Sequence, residues 1–424
     1  MNPRMFAFSL ALAPLLAACT AAPPPIVDEP PLGQPAVVLV SLDGFHPDYL
    51  FRGNSPHLDA LAERGVRARW MQPAYPTLTF PNHYTLVTGL RPDRHGIVDN
   101  TMQDPELGGF WLSNRDAVGD GRWWSDGEPV WITANAHGLR SATMFWPGSE
   151  ADIAGRHPDH WHPYDGSVAK DDRVGQLLAW LDLPAGERPH FMTLYFEHVD
   201  SVGHAVGPED ERIEAAVRDV DAAVGNLLQG IAARGLEDEV NLVFVSDHGM
   251  AQTSPERVVF VDELIPPGSA SIVSIGSALG LNPREGRAEE LEAALLGRHE
   301  RFECWRREDM PARWHFGSHP RVPALMCQAD TGWRFISRER AARRPGGWEA
   351  GFNLGSHGFD PADPSMRALF IAAGPDIAER RVVEPFEAIH VQPFLLRLLG
   401  IAPLADVDGD AAVLDPALAG RRRR

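Results

Sequence analysis

Five short segments of the chain consist almost entirely of apolar residues. Continuous apolar runs of this length are typical of strands that are buried on both faces of a parallel sheet. The runs are Ala36–Leu42, Ala142–Trp146, Phe191–Phe196, Asn241–Ser246 and Met366–Ala372. We therefore predict a sheet whose main strands are these five segments.

The segments between these runs carry apolar residues at helical spacing. In Glu209–Arg234, the residues Ile213, Val217, Val220 and Val224 fall on one face of a long helix. Further helices are predicted at Pro56–Arg64, Val130–Ala136, Val174–Leu181 and Ile389–Leu399. Because strands alternate with helices, the predicted fold class is α/β, with a mainly parallel central sheet flanked by helices.

Two segments lack the alternation of strand and helix. Thr101–Glu128 is rich in Asp, Gly and Trp without a period, and we interpret it as a surface insertion. Leu264–Arg344 has mixed composition and is expected to form a smaller subregion with its own strands. It contains Cys304 and Cys327, and an isolated cysteine pair in an oxidising compartment favours a disulfide over a metal site.

The first residues carry an export signal. Arg4 precedes the apolar run Met5–Leu16, which is too short for a permanent membrane span. Leu16-Ala17-Ala18-Cys19 resembles a bacterial lipobox, which implies a lipid on Cys19 and a membrane-anchored, exported protein facing the periplasm. A plain signal peptide with an incidental cysteine is the alternative. The predicted organisation is a signal peptide at 1–18, a Pro/Ala-rich tether at 19–35, one large domain at 36–415 and a basic tail at 416–424.

The net charge of the chain limits the classes of molecule that it can bind. Asp and Glu number 58 against 39 Lys and Arg, giving a formal net charge of −19. Such a chain repels polyanions, so we do not expect it to bind a nucleic-acid duplex. An anionic small molecule could bind only through a local positive charge such as a metal ion.

Metal-binding side chains follow several of the predicted strands. The carboxyl ends of parallel strands meet along one crevice, so residues remote in sequence converge there. Each motif alone is ambiguous, because aspartates and histidines are common in turns and on helix faces. Together they offer six N/O ligands, enough for two zinc ions with three protein ligands each. The six are Asp43, Asp200, His204, Asp247, His248 and His357.

Thr79 stands at the predicted head of another helix. Free backbone N–H groups at a helix N-terminus favour an incoming anion, so a hydroxyl there could act as a nucleophile on a phosphate. A simple helix N-cap is the alternative interpretation.

The motifs taken in order resemble the nucleotide pyrophosphatase/phosphodiesterase branch of the alkaline phosphatase superfamily. The resemblance covers about Val37–Pro403 and rests on Val40–Phe45, Thr79–Tyr84, Val87–Gly89, His95–Asn100, Phe145–Ser149, Asp200–His204, Ser246–Met250 and Ser356–Gly358. It implies an alkaline-phosphatase-like fold for a catalytic domain at 36–415.

The resemblance also implies roles for individual residues. Asp200, His204 and His357 would hold one zinc ion. Asp43, Asp247 and His248 would hold the other, which also touches the nucleophile Thr79. Asn100 would bind a non-bridging phosphate oxygen, and Phe80 and Tyr164 would sandwich a nucleobase.

The implied activity is a two-zinc hydrolase that cleaves phosphodiester or pyrophosphate bonds of nucleotides. It would release nucleoside 5′-monophosphates through a covalent threonine intermediate. The alternatives are a choline-phosphate diesterase or another phosphate-ester hydrolase with the same bimetal site. A binding lipoprotein that has lost activity is a further alternative, although all six presumed ligands and the threonine are present.

Overall fold

A computed structural model describes residues 35–342 and 352–420, and its centre is an eight-stranded sheet. The strands in spatial order are Arg381–Val383, Val66–Ala68, Phe370–Ala373, Val240–Val245, Ala36–Leu42, Phe191–Phe196, Ser141–Met144 and His160–Trp161. All five predicted apolar runs contribute to this sheet. The predicted α/β class with a central sheet is confirmed.

The sheet is parallel with one exception. Val40 lies opposite Leu194 on one side and Phe244 on the other, both in parallel register. The strand Phe370–Ala373 runs antiparallel to both of its neighbours. It begins later than the predicted Met366–Ala372 strand: Met366 ends a turn of 3₁₀ helix, and Ala368 forms an isolated bridge with Met71.

The central strand separates two hydrophobic cores. In Ala36–Leu42, Val37 and Leu39 face one core, whereas Val38 and Val40 face the other. Side chains alternate across a strand, so a strand covered on both sides must be apolar at every position. This explains why the run in the sequence is continuous.

Helices cover both faces of the sheet. The α-helices are Pro56–Arg64, Thr79–Thr88, Pro92–His95, Arg115–Val118, Val130–Ala136, Lys170–Leu181, His198–Val206, Arg212–Ala232, Val261–Leu264, Ala288–Leu295, Arg338–Ala342 and Val391–Leu398. The long amphipathic helix begins three residues later than predicted. In the part of the chain that the structure describes, no helix combines the length and the apolar character that a bilayer crossing requires.

The predicted subregion is present as a second, antiparallel sheet. Its strands in spatial order are Ala270–Ile275, Ala278–Pro283, Leu325–Ala329, Phe302–Arg306 and Gly297–Arg298. Leu279, Leu281 and Phe335 belong to a separate small core beneath this sheet. Cys304 and Cys327 lie opposite each other on neighbouring strands and form the predicted disulfide.

Short strand pairs connect the loops around the main sheet. Each pair has two to four residues per strand, and the pair at Gly355–Ser356 leads directly into a candidate metal ligand. The pairs are Ala251–Gln252 with Gly355–Ser356, Val258–Phe260 with Arg334–Ile336, Met71–Gln72 with Phe386–Glu387, and Thr101–Asp104 with Gly108–Trp111.

Most residues of Thr101–Glu128 are exposed, as the surface interpretation expects, but the segment is also anchored in the core. The segment begins as a hairpin, Thr101–Asp104 with Gly108–Trp111, and three of its aromatic residues are buried in the main core. These are Phe110, Trp123 and Trp124. Their spacing follows a hairpin and short turns rather than one regular element, so no period reveals their burial.

The C-terminal region continues past residue 415. A 3₁₀ helix spans Ala411–Ala417, and Leu418 pairs with Ile377 at the sheet edge. The predicted tail at 416–424 therefore begins within packed structure, and residues 421–424 lie outside the described residues. The predicted signal peptide and most of the tether, including Cys19, also lie outside them.

The disulfide is expected to stabilise the antiparallel subregion. It closes a loop with a sequence separation of 23 residues, for which the chain-entropy model gives about 3 kcal/mol. Replacing both cysteines with serine should lower the unfolding free energy by about that amount in chemical denaturation. Equal stability of the two proteins, or two free thiols in non-reducing mass analysis of the exported protein, would contradict this expectation.

Candidate active site

Three neighbouring strands deliver the acidic residues of the site. Asp43 follows Ala36–Leu42, Asp247 follows the adjacent strand Val240–Val245, and Asp200 lies in the first turn of the helix that follows Phe191–Phe196. The carboxyl ends of parallel strands share one edge of the sheet. The convergence predicted from sequence is therefore present.

Gly44 allows the loop that carries Asp43 to contact the residue Asp200. Its φ is +67°, and a Cβ at this position would lie 3.0 Å from both Cα and Cβ of Asp200. The Asp200 amide also donates to the Asp43 carbonyl over 3.1 Å. A side chain at position 44 would separate the two carboxylates.

Thr79 is the first residue of the helix Thr79–Thr88, as the sequence suggested. The carbonyl of Thr77 precedes the N-cap residue Leu78, so it takes no part in the hydrogen bonds of the helix. Nδ1 of His357 donates to that carbonyl over 2.9 Å. The start of this helix thus fixes the orientation of a candidate metal ligand.

Asp200, His204 and His357 form the first candidate cation site. Nδ1 of His204 donates to the Gly355 carbonyl over 2.9 Å, and His357 uses its Nδ1 in the same way. Both Nε2 atoms therefore present lone pairs, and they lie 3.1 Å from each other. Oδ1 of Asp200 lies 3.5 and 3.6 Å from them.

Such spacing fits a shared cation. Two neutral imidazole lone pairs 3.1 Å apart repel each other unless a positive charge lies between them. Zinc bonds of about 2.0–2.1 Å in a tetrahedron place ligand atoms about 3.3 Å apart. Burial and the nearby rings of His248 and His204 hold the pKa of His357 well below 6.5, so this ring is neutral and ready to bind a metal.

Asp43, Asp247 and His248, the second predicted ligand set, lie beside Thr79. The compact groups in this region are Asp43 with His83 and Asp247, and Asp43 with Asp200 and His248. Nδ1 of His248 is 2.9 Å from the Gly249 carbonyl, which leaves Nε2 to face the site. Nε2 lies 3.7 Å from Asp43 Oδ1, 2.8 Å from Asp247 Oδ2 and 3.3 Å from Thr79 Oγ1. A cation among these atoms would contact the threonine hydroxyl.

Each candidate aspartate has one oxygen without a donor. Among residues 35–342 and 352–420, the buried carboxylate oxygens that accept no hydrogen bond are Asp43 Oδ1, Asp200 Oδ1 and Asp247 Oδ2. Buried carboxylates normally have hydrogen-bond partners. All three oxygens belong to the two groups, so the residues present fit a pair of bound cations.

The pKa values of Asp43 and His248 are shifted by the crowding of carboxylates in the site. Burial and the Asp247 carboxylate raise the pKa of Asp43 well above its usual range. Burial would lower the pKa of His248, but the Asp247 carboxylate raises it above 6.5. A proton and a cation therefore compete for His248, and a divalent cation would relieve the repulsion between the carboxylates.

Asn100 lies next to the start of the Thr79 helix. Its Oδ1 accepts a hydrogen bond from the Phe80 amide over 2.9 Å. This contact fixes which end of the side-chain amide is the oxygen, so the Nδ2 donors remain for a ligand beside Thr79. The position suits the phosphate-binding role implied by the resemblance.

The two aromatic residues singled out from sequence lie in different surroundings. Phe80 is partly buried, with ring centroids 5.9 Å from those of Phe110 and Trp124. Tyr164 is 40% exposed, and its ring packs edge-on against Phe145 and Tyr195.

Sequence reasoning missed two residues in direct contact with candidate ligands. Tyr195 Oη donates to Asp43 Oδ2 over 2.6 Å, which orients Oδ1 toward the cation position. His83 contacts Asp247, and its ring could itself be grouped with Asp43 and Asp247 as a ligand. Its position four residues after Thr79, on the same face of a helix, was the available signal.

His83 and His248 differ in what their ring nitrogens face. Both nitrogens of His83 already have close polar partners, Thr79 O at 2.8 Å and Ser41 Oγ at 2.8 Å. Nε2 of His248 lies near carboxylate oxygens of Asp43 and Asp247 and near Oγ1 of Thr79. His248 therefore stays the predicted ligand.

Two groups of candidate metal ligands beside a hydroxyl at a helix N-terminus are the arrangement expected of a bimetal phosphoester hydrolase. The comparisons with known proteins agree. Residues 37–360 match the family model described as type I phosphodiesterase / nucleotide pyrophosphatase. The chain belongs to this family of the alkaline phosphatase superfamily and is a phosphodiester hydrolase.

Similar proteins are found in Schizosaccharomyces pombe, rat and human. An uncharacterised pyrophosphatase/phosphodiesterase of Schizosaccharomyces pombe is 34% identical over 87% of this chain and 77% of its own length. The human ectonucleotide pyrophosphatase/phosphodiesterase family member 5 is 33% identical over 88% of this chain and 76% of its own. Against rat family member 3, at 36% identity, the chain spans only 42% of the relative.

Solved structures show the same fold. Murine family member 5, as an inactive Thr-to-Ala variant in complex with AMP, superposes with a TM-score of 0.85 at 32% identity. The match covers 91% of this chain and all of that one.

The Tyr195 hydrogen bond is expected to strengthen cation binding. Tyr195→Phe removes the donor that orients Asp43, and loss of such a contact typically lowers metal affinity about 10–100-fold. Tyr164→Phe is the matched control, because that hydroxyl does not contact Asp43. Chelator competition with Zn²⁺ measures both affinities. Equal affinities for the two variants would contradict the orienting role.

Proposed function

We propose that this protein is a two-zinc nucleotide pyrophosphatase/phosphodiesterase that releases nucleoside 5′-monophosphates. The observation that carries the proposal is the convergence of three donor-free carboxylate oxygens and three Nε2 atoms beside Thr79 Oγ1. One zinc ion is held by Asp200, His204 and His357. The other is held by Asp43, Asp247 and His248.

Zinc suits the ligand set because it accepts mixed nitrogen and oxygen ligands and leaves open positions for substrate. When bound, the two ions supply positive charge that lowers the pKa of a hydroxyl or water and balances charge on the attacking and leaving oxygens. A pair of cations also explains how a chain with a net charge of −19 binds an anionic substrate.

Thr79 is the proposed nucleophile. Its Oγ1 attacks phosphorus in line, so the Oγ1–P bond forms while the bond from phosphorus to the leaving oxygen breaks. The hydroxyl proton passes to solvent, and the departing oxygen takes a proton from water. A water molecule then attacks the threonine ester, the Oγ1–P bond breaks, and Thr79 regains its proton.

The helix start and Asn100 orient the phosphate. The Nδ2 donors of Asn100 can bind a non-bridging oxygen, while its Oδ1 stays bound to the Phe80 amide. Asn100 and Phe80, which follows Thr79, are both uncharged. This neutral pair favours a diester with one negative charge over a dianionic monoester.

A nucleotide is the proposed substrate class. Murine family member 5 binds AMP as an inactive Thr-to-Ala variant, which supports both a nucleotide site and a threonine nucleophile. Phe80 and Tyr164 are the proposed stacking partners of the base, as the family resemblance implies. Base stacking on such a side chain contributes about 1–3 kcal/mol.

Replacing Thr79 tests the mechanism. Thr79→Ala should lower diester turnover by at least about 10³-fold, whereas zinc content should persist because six other ligands remain. Thr79→Ser keeps the hydroxyl and is the matched control. Turnover of p-nitrophenyl thymidine 5′-monophosphate measures the effect, and unchanged activity of the alanine variant would refute the nucleophilic role.

The same assay separates the alternative substrates. We expect the nucleotide diester to exceed p-nitrophenyl phosphate and p-nitrophenyl phosphocholine in kcat/KM. Preference for the monoester would contradict the diesterase proposal, and preference for phosphocholine would assign the site to a choline-phosphate diesterase.

We further propose export and a lipid anchor on Cys19, as the lipobox resemblance implies. In a bacterial host, the wild-type protein should fractionate with membranes and carry a lipidated cysteine as its first residue. Cys19→Ala should appear in the soluble fraction with unchanged turnover, because position 19 lies outside the catalytic domain. Equal membrane association of both proteins would contradict the anchor.

A further inference from the structure

We propose that His83 is a positioning residue that holds the nucleophile and a metal-ligating carboxylate in one geometry. The inference rests on the proposed function, because it concerns Thr79 and Asp247. It adds a residue with no place among the six ligands or the substrate contacts. The evidence is the set of contacts that its ring makes on every side.

The ring of His83 is fully buried and its tautomer is determined by its neighbours. Nδ1 lies 2.8 Å from the carbonyl oxygen of Thr79, which can only accept, so Nδ1 carries the proton. In the neutral ring, Nε2 then accepts from the Ser41 hydroxyl over 2.8 Å. Ser41 is itself fully buried in the central strand.

The protonated edge of the ring also faces Asp247. Nδ1 lies 3.4 Å from Oδ2, the oxygen that lacks a hydrogen-bond donor. The other carboxylate oxygen of Asp247 is held by the Gly44 amide over 3.2 Å. One imidazole N–H thus contacts both the backbone of Thr79 and the free oxygen of Asp247.

Packing prevents the ring from turning away. The ring of Trp146 lies 5.0 Å from it and that of Tyr195 lies 5.3 Å from it, both edge-on. The Trp146 indole N–H also donates to the His83 carbonyl over 3.0 Å. Because Tyr195 binds Asp43, the same packed unit reaches two carboxylates of the second group.

These contacts give His83 a defined effect on the reaction. A displacement of the nucleophile by about 1 Å can lower a rate about 10²-fold. Loss of the Nδ1 donor should therefore lower kcat while KM changes little, since no substrate contact is lost. It should also weaken cation binding, because Asp247 loses an orienting neighbour.

Two amide substitutions test the roles of the two ring nitrogens of His83 separately. In His83→Asn the amide nitrogen takes the place of Nδ1 and keeps a donor toward Thr79 and Asp247. In His83→Gln the amide nitrogen takes the place of Nε2 and reaches only toward Ser41. We expect kcat to fall about 10–100-fold in the glutamine variant and several-fold less in the asparagine variant.

His95→Asn is the matched control for replacing a buried histidine. His95 is also fully buried and bonds to Thr85 and the Ile97 amide, away from the candidate ligands. Its kcat and Zn²⁺ affinity should stay near wild type. Thermal unfolding of all variants, with and without Zn²⁺, shows whether each variant is still folded. A folded variant with low kcat has lost the arrangement of the site and not its overall structure.

The outcomes are distinguishable from those of the proposed function. Diester turnover by the wild type and its loss in Thr79→Ala test the function, whereas the ratio of kcat between the two His83 variants tests the positioning role. Equal kcat in both variants, or wild-type kcat and Zn²⁺ affinity in His83→Gln, would overturn the inference.

A spectroscopic measurement tests the inference without relying on a folded variant. In ¹⁵N NMR of the zinc-loaded wild-type enzyme, the His83 ring should show a protonated Nδ1 and an Nε2 without metal coordination. A protonated Nε2, or coordination of zinc by this ring, would overturn the positioning role.

Discussion

Unbalanced negative charge at the ends of three neighbouring strands governs this structure. Asp43, Asp200 and Asp247 converge because their strands are adjacent and parallel, and the fold supplies no donor to one oxygen of each. Burying a charge without a partner is costly. Bound cations would relieve the repulsion between these carboxylates, so the three oxygens mark a candidate metal centre.

The surrounding contacts set the direction of each ligand. His204, His248 and His357 all place Nδ1 against a backbone carbonyl at 2.9 Å, so each presents Nε2 to the site. Hydrogen bonds of this kind fix the tautomer and raise the basicity of a metal-binding imidazole. The rings of His248 and His357 also stack at 3.5 Å, which joins the two cation sites into one unit.

The sequence predicts those parts of the fold that depend on residues close together in the chain. The run Ala36–Leu42 is apolar because both of its faces are covered, and strand-end aspartates mark the crevice. The burial of the aromatics of Thr101–Glu128 was not predictable, because a hairpin and short turns give their positions no regular period. The contact of Tyr195 with Asp43 spans 152 residues, so neither residue alone indicates it. The antiparallel direction of Phe370–Ala373 likewise depends on connections that no single segment encodes.

The most direct test of the account is anomalous diffraction from crystals of active, untreated enzyme at the zinc edge. The account predicts two peaks, one among Asp200, His204 and His357 and one among Asp43, Asp247 and His248 beside Thr79. A single peak, a peak bound to His83, or full activity without any transition metal would contradict it.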